Sequence, residues 1–310
     1  NTIGGTNAGD SITTGQNNTT IGKDAGTAIT TGGENTALGS GALDSNTTGQ
    51  YNTAVGKDAL SAVTTSERNT AVGRSALLLS TGSQNTGVGF NVLSATTTGQ
   101  YVTAIGSRAL KENTTADSNT AVGTDALLSN TTGTRNTAVG SEALDANTTG
   151  DDNVAIGRNS LGANTTGYRN VSMGRGSMMS NTTGSHCTAV GAYTLSSQTT
   201  AGDANVAMGY GALYSNTTGD NNTGIGNSSL VNNTTASSNT GLGFKSLSAN
   251  TTGSYNTAVG SLALTANTNG ANNVAMGYAT LDANVGGSEN TALGQAALGG
   301  NTTASYNTAV

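Results

Sequence analysis

The chain contains no proline and no tryptophan, and its 310 residues include only one cysteine and one histidine. A single cysteine cannot build a disulfide framework. Charged residues are also scarce, at 9% of the chain, with a net charge of -6 and a pI near 4.6. A protein that binds nucleic acid through the phosphate backbone needs clustered lysine and arginine, so we predict no nucleic-acid partner.

Long apolar runs are absent as well. No run approaches the roughly 18 residues needed to cross a bilayer, so we predict no membrane insertion within this chain. There is neither an initiating methionine nor a signal peptide, and we therefore expect the chain to be a segment of a longer protein.

The sequence does contain 46 glycines and a short motif that repeats along the whole chain. The residues 136–140, Asn-Thr-Ala-Val-Gly, open a unit of 17 residues, and Asn153 opens the next one. Eighteen complete units and a partial nineteenth fill the chain without any linker. We therefore predict that residues 1–310 form a single repeat array.

A few units depart from this pattern. In residues 1–34, Gly9 and Gly26 stand where later units carry leucine, and we interpret these two degenerate units as a cap or a junction. The unit that starts at Asn69 has 16 residues and loses one around residues 79–80, whereas the unit that starts at Cys187 has 18 and gains one around residues 200–202. Both changes fall in the second half of the unit, where we expect a loop.

Within the unit, positions numbered from the asparagine carry consistent residue types. Position 1 is asparagine, position 4 is aliphatic or methionine, position 5 is glycine and position 9 is leucine, with few exceptions. A glycine that recurs at the same position of every repeat indicates that this residue has a positive φ or that another part of the backbone lies close to it. We predict that these positions form a structural ladder, represented by Asn119, Asn136, Asn153, Asn170, Val122, Val139, Ile156, Gly123, Gly140, Gly157, Leu127, Leu144 and Leu161.

The distribution of charge decides between helix and strand. All 11 basic and 17 acidic residues fall at positions 6, 7, 10, 11, 16 or 17. Short β-rich stretches between charged corners indicate a coiled strand ladder, because the glycine and the Thr-Thr-Gly phrase would interrupt a helix. We predict an all-β fold, a β-solenoid (a parallel β-roll or β-helix) with one 17-residue coil per repeat. Because valine often replaces threonine at position 2, we predict that positions 2 and 4 face the interior.

Such a coil has a thin core for a lone chain. Positions 4 and 9 offer two sizeable apolar side chains, worth about 1.5–3 kcal/mol each when buried. Ordering each residue costs about 1–2 kcal/mol in backbone entropy alone. The small residues at positions 3 and 8 leave room for a second backbone, so we predict an intertwined or side-by-side homo-oligomer.

Three phrases connect this sequence to a known family. Residues 153–157 (Asn-Val-Ala-Ile-Gly), 205–209 (Asn-Val-Ala-Met-Gly) and 136–140 resemble the YadA-like head repeats of trimeric autotransporter adhesins. The longer Asn-Thr-Ala-Val-Gly-x-x-Ala-Leu form is similar to repeats in phage tail fibres and large bacterial surface proteins. The resemblance covers nearly the whole chain and implies a trimer of left-handed parallel β-rolls on an extracellular fibre. The unit of 17 residues, against about 14 in the adhesin heads, is the main departure.

Candidate catalytic groups are few. His186 and Cys187 are neighbours, but adjacent residues in a strand point to opposite faces, so we predict no Cys–His pair. Paired carboxylates such as Asp151 and Asp152 occupy corners, where solvated surface is the simpler interpretation. The acidic residues are scattered, and no phosphate-binding or dinucleotide motif occurs. We predict no enzyme, no cofactor and no metal.

Two repeated side-chain types remain available for function. The Asn-x-Thr sequons at Asn130, Asn147, Asn164, Asn181 and Asn250 are either glycan acceptors or further ladder asparagines, and we favour the ladder. The threonine pairs recur in register and form a candidate surface-binding row. Its members are Thr131, Thr132, Thr148, Thr149, Thr165, Thr166, Thr251 and Thr252.

From these features we predict a non-enzymatic structural or adhesive segment of a long extracellular fibre, on a cell surface or a virion. Its partners would be further copies of itself, as a homotrimer, and a host-surface glycan or protein receptor. An alternative is an ice-binding or other surface-ordering solenoid that acts through the stacked threonines. An enzyme built on a β-helix would carry an irregular insertion with clustered polar residues, and the sequence has none.

Overall fold

The structure is a computed structural model that describes residues 1–199 and 203–310. These residues contain short β-strands and turns but no helix, and they divide into two compact units. The first unit, Asn1–Asp152, contains β1 (Thr2–Gly4), β2 (Thr19–Ile21), β3 (Thr36–Leu38), β4 (Thr53–Val55), β5 (Thr70–Val72), β6 (Thr86–Val88), β7 (Thr103–Ile105), β8 (Thr120–Val122) and β9 (Thr137–Val139). The second unit, Asn153–Val310, contains β10 (Val154–Ile156), β11 (Val171–Met173), β12 (Thr188–Val190), β13 (Val206–Met208), β14 (Thr223–Ile225), β15 (Thr240–Leu242), β16 (Thr257–Val259), β17 (Val274–Met276), β18 (Thr291–Leu293) and β19 (Thr308–Ala309).

Within each unit, every strand pairs in parallel with the next strand along the chain. Thr120 pairs with Thr137 in the first unit, and Val154 pairs with Val171 in the second. Because consecutive strands are parallel neighbours, the chain between them must travel round a closed coil and return one strand spacing further on. The predicted all-β parallel solenoid is therefore confirmed, with about 18 coils in the two units together.

The backbone ladder continues beyond the strands and round the rest of each coil. After β8, the Gly123 N–H donates to the carbonyl of Ile105 at 2.8 Å, and the Leu127 N–H donates to Ala143 at 3.0 Å. The Thr131 N–H then donates to the carbonyl of Thr148 at 3.0 Å. The turns are thus held by bonds to neighbouring coils, which explains how so much non-strand backbone stays satisfied in a chain with few large apolar residues.

The prediction that positions 2 and 4 face the interior is wrong. In nearly every strand the middle residue, at position 3, is buried, whereas the first and third residues are half-buried or exposed. Ala138 is fully buried, but Ile105 and Ile156 are 41% and 38% exposed. The valine and isoleucine of the repeated phrase therefore point away from the core.

The width of the interior explains this orientation. At Gly87 and Gly224, which take position 3, an added Cβ would lie 3.1 Å from Val92 Cγ1 and 3.2 Å from Leu213 Cγ. The space behind the strand is therefore already filled by the residues at positions 8 and 9. In a coil with the core leucine an alanine fits there, but a valine or isoleucine does not, because a close-packed core has no room for extra methyl groups. Thr20, which has the shape of valine, is buried at this position in the coil where Gly26 replaces the leucine.

The charged corners are as predicted. Among residues 1–199 and 203–310, no lysine, arginine, aspartate or glutamate is buried. Their positions lie on turns that face away from the alanine and leucine core. Position 9, by contrast, is inside: Leu127, Leu144 and Leu161 are fully buried.

In the first two repeats, which lack the leucine at position 9, another apolar residue fills its place in the core. Where Gly26 replaces the core leucine, Ile29 replaces the asparagine at position 12 and is fully buried. An added Cβ at Gly26 would lie 2.8 Å from Ile29 Cδ1, so the isoleucine occupies the space that leucine fills elsewhere. This exchange was visible in the sequence, because Gly9 has the same partner in Ile12.

In the 16-residue repeat that starts at Asn69, the missing residue lies slightly further along the chain than predicted. Ser80 is fully buried at the usual asparagine position, and Thr81 Oγ1 donates to the carbonyl of Thr97 at 3.0 Å, as the first threonine of a pair does. The missing residue is therefore the second threonine. In other coils the N–H of that residue shares its acceptor with the first threonine, as Thr131 and Thr132 share the Thr148 carbonyl, so its loss leaves no carbonyl without a donor. The predicted insertion at residues 200–202 lies outside the described residues.

Candidate functional site

The predicted ladder asparagines at position 1 are all fully buried, and their amides link successive coils. In the first unit, the Asn136 N–H donates to Asn119 Oδ1 at 2.8 Å, and Asn119 Nδ2 donates to the Gly133 carbonyl at 2.8 Å. In the second unit, the Asn170 N–H donates to Asn153 Oδ1 at 3.0 Å. Each amide thus closes its own coil and binds the next one.

A second asparagine ladder runs through position 12, which includes the predicted sequons. Asn147 Nδ2 donates to Asn130 Oδ1 at 2.8 Å and to the Gly150 carbonyl at 3.0 Å. Asn130, Asn147, Asn164, Asn181 and Asn250 are all fully buried. A glycan needs an accessible amide, so these side chains serve the fold rather than glycosylation in the folded chain.

The predicted glycines combine positive φ with close contact between coils. Gly123, Gly140 and Gly157 have φ values of 137°, 137° and 123°. An added Cβ on Gly123 would lie 2.5 Å from the carbonyl oxygen of Gly140. Both reasons for glycine that the sequence suggested therefore apply at this corner.

Val122, Val139 and Ile156 lie on a surface that we call the outer sheet face. It consists of the first and third residues of each strand. From β2 to β18 the first residue is threonine or valine, and the third is isoleucine, leucine, valine or methionine. Val122 and Val139 are half-buried and Ile156 is exposed. The face carries no charged residue in any described strand.

The candidate threonine row separates into two rows with different environments. The first threonine of each pair is half-buried, and Thr131, Thr165 and Thr251 each donate their Oγ1 to the carbonyl of the next coil at 3.0–3.1 Å. Thr148 is half-buried in the same register. The second threonines are exposed, and these are Thr132, Thr149, Thr166 and Thr252. Only the second row offers its side chains to a ligand.

His186 and Cys187 point in opposite directions, as predicted. His186 is exposed and packs edge-on against Tyr168, with ring centroids 5.0 Å apart. Cys187 is fully buried at an asparagine position, where Gln198 Nε2 donates to its Sγ at 3.3 Å. Burial raises the pKa of the Cys187 thiol, which disfavours the thiolate that nucleophilic chemistry needs.

Other titratable groups of the described residues do not converge on a site. Burial raises the pKa of Asp44 and of Asp145, but the two carboxyls lie on separate coils of the first unit. In residues 1–199 and 203–310, no group of three or more His, Cys, Asp or Glu side chains is placed to hold a metal ion. The part of the chain that the structure describes also contains no helix long and apolar enough to cross a membrane.

Comparison of the sequence with protein-family models and with curated proteins found no match in either set. The surfaces of the coils are therefore the features that bear on function.

Proposed function

We propose that the chain is a structural and adhesive segment of an extracellular fibre, in which each 17-residue repeat forms one coil and three copies associate. The observation that carries this proposal is the outer sheet face, which is free of charge and presents a row of aliphatic or methionine side chains beside a row that is mostly threonine. Ile105, Leu38, Met208 and Leu242 expose 41–43% of their surface there. Exposed apolar side chains that lie next to one another mark interaction sites in soluble proteins.

A second copy of the same chain is the occupant that this face fits best. Within each unit the spacing of side chains along the face is set by the strand separation, so the same unit of an identical chain has a matching periodicity. Association through it would also supply the apolar burial that the narrow alanine and leucine core lacks. The resemblance of residues 153–157 to adhesin head repeats favours three copies over two.

Sedimentation velocity on the intact chain tests this proposal. We expect a trimer, and we expect the double variant Ile105→Lys with Val139→Lys to sediment as a monomer with an unchanged circular dichroism spectrum. Both side chains lie on the outer sheet face two coils apart, so the new charges point outward and do not enter the core. Burying unpaired ammonium groups between copies is strongly unfavourable.

Leu79→Lys is the matched control, because Leu79 is 50% exposed but lies on a turn rather than on the sheet face. We expect this variant to remain trimeric. A wild-type chain that sediments as a compact monomer at micromolar concentration would contradict the proposal.

The exposed second threonines favour one alternative, a surface-ordering role such as ice binding. Their neighbours in the first row are fixed by bonds to the next coil, so the exposed row has a regular spacing. If this role is correct, the chain shows thermal hysteresis, and Thr132→Tyr with Thr149→Tyr reduces it by more than half because tyrosine disrupts the spacing. Absence of thermal hysteresis in the wild-type chain rules this alternative out.

A further inference from the structure

The second unit carries a row of large side chains at position 6, the residue after the corner glycine. The row comprises Arg158, Arg175, Tyr210, Phe244 and Tyr278, and we call it the arginine–aromatic row. All five are exposed, and the three aromatics expose 59%, 47% and 55% of their surface. Exposing this much aromatic surface to water is unfavourable, so the row calls for a functional explanation.

The backbone fixes the spacing of this row. At each coil, the N–H of the residue after position 6 donates to the position-6 carbonyl of the coil before it. The bonds run from Gly176 to Arg158, Tyr193 to Arg175, Gly211 to Ala192, Ser228 to Tyr210, Lys245 to Asn227, Leu262 to Phe244 and Ala279 to Ser261, at 2.9–3.1 Å. Successive coils are therefore about 4.8 Å apart, and the three aromatics, on alternate coils, are roughly 9–10 Å apart.

Two cavities lie beside this row, on either side of Tyr193. One has a volume of about 190 Å³ and is lined by Arg158, Arg175 and Gly176, and the other has a volume of about 360 Å³ and is lined by Tyr210, Gly211 and Tyr214. Tyr193 lines both.

Both glycines take position 7, where most coils carry a side chain. An added Cβ on Gly176 would lie 3.1 Å from the Tyr193 ring, whereas one on Gly211 would meet nothing within 4 Å. Gly176 thus leaves room beside the Tyr193 ring, and Gly211 lines the second cavity without adding a side chain.

Over most of the row the charge on this corner is of one sign. From position 6 to position 11, the coils between Arg158 and Ala249 contain two arginines and Lys245 but no aspartate or glutamate, and the coil of Tyr278 carries one acidic residue, Asp282. In the first unit the same corner mixes both signs, and Arg108 pairs there with Asp125 at 2.6 Å. Among the described residues, neither Arg158 nor Arg175 has a carboxylate within 4.0 Å. Arg175 lies 5.6 Å from the centroid of the Tyr193 ring, which orients its guanidinium beside the cavities.

We propose that the arginine–aromatic row binds an extended acidic polysaccharide, a polymer that contains uronic acid, along the solenoid axis of the second unit. This inference rests on the proposed attachment role and names its ligand class and its site. The apolar faces of sugar rings stack on aromatic side chains. Because the three aromatics lie on alternate coils, they suit a polysaccharide in which every second sugar presents the same face. The two arginines supply forked donors for carboxylates.

Other anionic polymers fit the row less well. A nucleic acid carries a charge at every nucleotide, whereas this corner offers only Arg158, Arg175 and Lys245, on a chain with a net charge of -6. A peptide made of aspartate and glutamate would satisfy the arginines but has no rings to cover the three exposed aromatics.

Isothermal titration calorimetry of the full chain with polygalacturonate tests the proposal, with the methyl-esterified polymer as the uncharged probe. We expect the acid form to bind more tightly than the ester. The triple variant Tyr210→Ser, Phe244→Ser and Tyr278→Ser should weaken binding at least about tenfold, because it removes all three stacking surfaces. Serine already takes this position at Ser261, so the variant is expected to fold.

Arg158→Gln with Arg175→Gln tests the charge separately. Glutamine takes the same position at Gln295, and we expect this variant to lose the preference for the acid form over the ester. The control is Tyr255→Ser with Tyr306→Ser, which removes tyrosines that are 64% and 76% exposed on another corner and should leave the affinity unchanged.

Four results would overturn the inference. These are no binding by the wild-type chain, equal affinity for the acid and the ester, equal weakening by the control pair, and equally tight binding of poly-glutamate. The oligomeric state is measured independently by sedimentation. If the chain is a trimer but does not bind polygalacturonate, only the proposed binding site is wrong. If the chain is a monomer that binds polygalacturonate, only the proposed trimer is wrong.

Discussion

Replacing Gly123 with alanine should lower the free energy of unfolding by about 3 kcal/mol or more, the largest effect that we expect from a single methyl group in this chain. Gly123 has a φ of 137°, a conformation that side chains with a Cβ rarely adopt. The new Cβ would also lie 2.5 Å from the Gly140 carbonyl oxygen. That oxygen belongs to the backbone of the next coil, so it cannot move aside without disturbing the ladder. Urea denaturation followed by circular dichroism measures the loss.

Gly211→Ala separates the two causes of this effect. Gly211 also has a positive φ, of 63°, but an added Cβ there would meet no atom within 4 Å. We therefore expect a cost of only about 1 kcal/mol, which is the conformational part alone. Equal destabilisation by the two variants would mean that close packing between coils is not what position 5 requires.

Asn222→Ala should destabilise the chain by about 2–5 kcal/mol, because it leaves two buried groups of Asn239, the backbone N–H and the side-chain Nδ2, without their partner. Asn222 Oδ1 accepts hydrogen bonds from the Asn239 N–H at 3.0 Å and from Asn239 Nδ2 at 3.3 Å. Its own Nδ2 donates to the Ala236 carbonyl at 2.8 Å, and that carbonyl keeps a second donor in Asn233 Nδ2. Water cannot replace the amide, because Asn222 is fully buried. Because each coil contacts only its neighbours, hydrogen exchange should show the loss of protection concentrated in the coils beside residue 222.

Asn227→Ala provides the comparison within the same coil. Asn227 is exposed at position 6, where Ala192 stands in another coil, and its side chain accepts a bond only from the neighbouring Ser228 hydroxyl. We expect a change within about 0.5 kcal/mol. If the two alanine variants were equally stable, the buried asparagines would not be holding the coils together.

The sequence was sufficient to predict the parallel solenoid and its charged corners, because period and charge placement do not depend on packing detail. It was not sufficient to orient the strand. Alternation put Thr137 and Val139 on one face and Ala138 on the other, and hydrophobicity alone favoured the valine as core. What decides the orientation is the space between the strand and the buried leucines. That space is fixed only when the whole coil has closed, so the sequence of the strand alone does not reveal it.

Two further features had no usable signal in the repeat pattern. Leu127 and the other core leucines have positive φ, near 52° for Leu127, which is rare for a bulky residue and is not encoded by any local turn signature. The arginine–aromatic row was hidden because Tyr210, Phe244 and Tyr278 recur every second coil, whereas reading unit by unit shows them only as variation at an exposed position.

The coil ladder also has a consequence for how such a gene can change. Within each unit, every coil bonds to its neighbours through the same backbone groups and the same buried asparagines. Recombination that adds or removes one whole repeat would therefore rejoin two compatible surfaces. An error of one residue is tolerated where the short repeat lost its second threonine, because in other coils the N–H of that residue shares its acceptor with the first threonine. The number of repeats in this protein can therefore change one at a time, whereas the residues that form the ladder within each repeat cannot change freely.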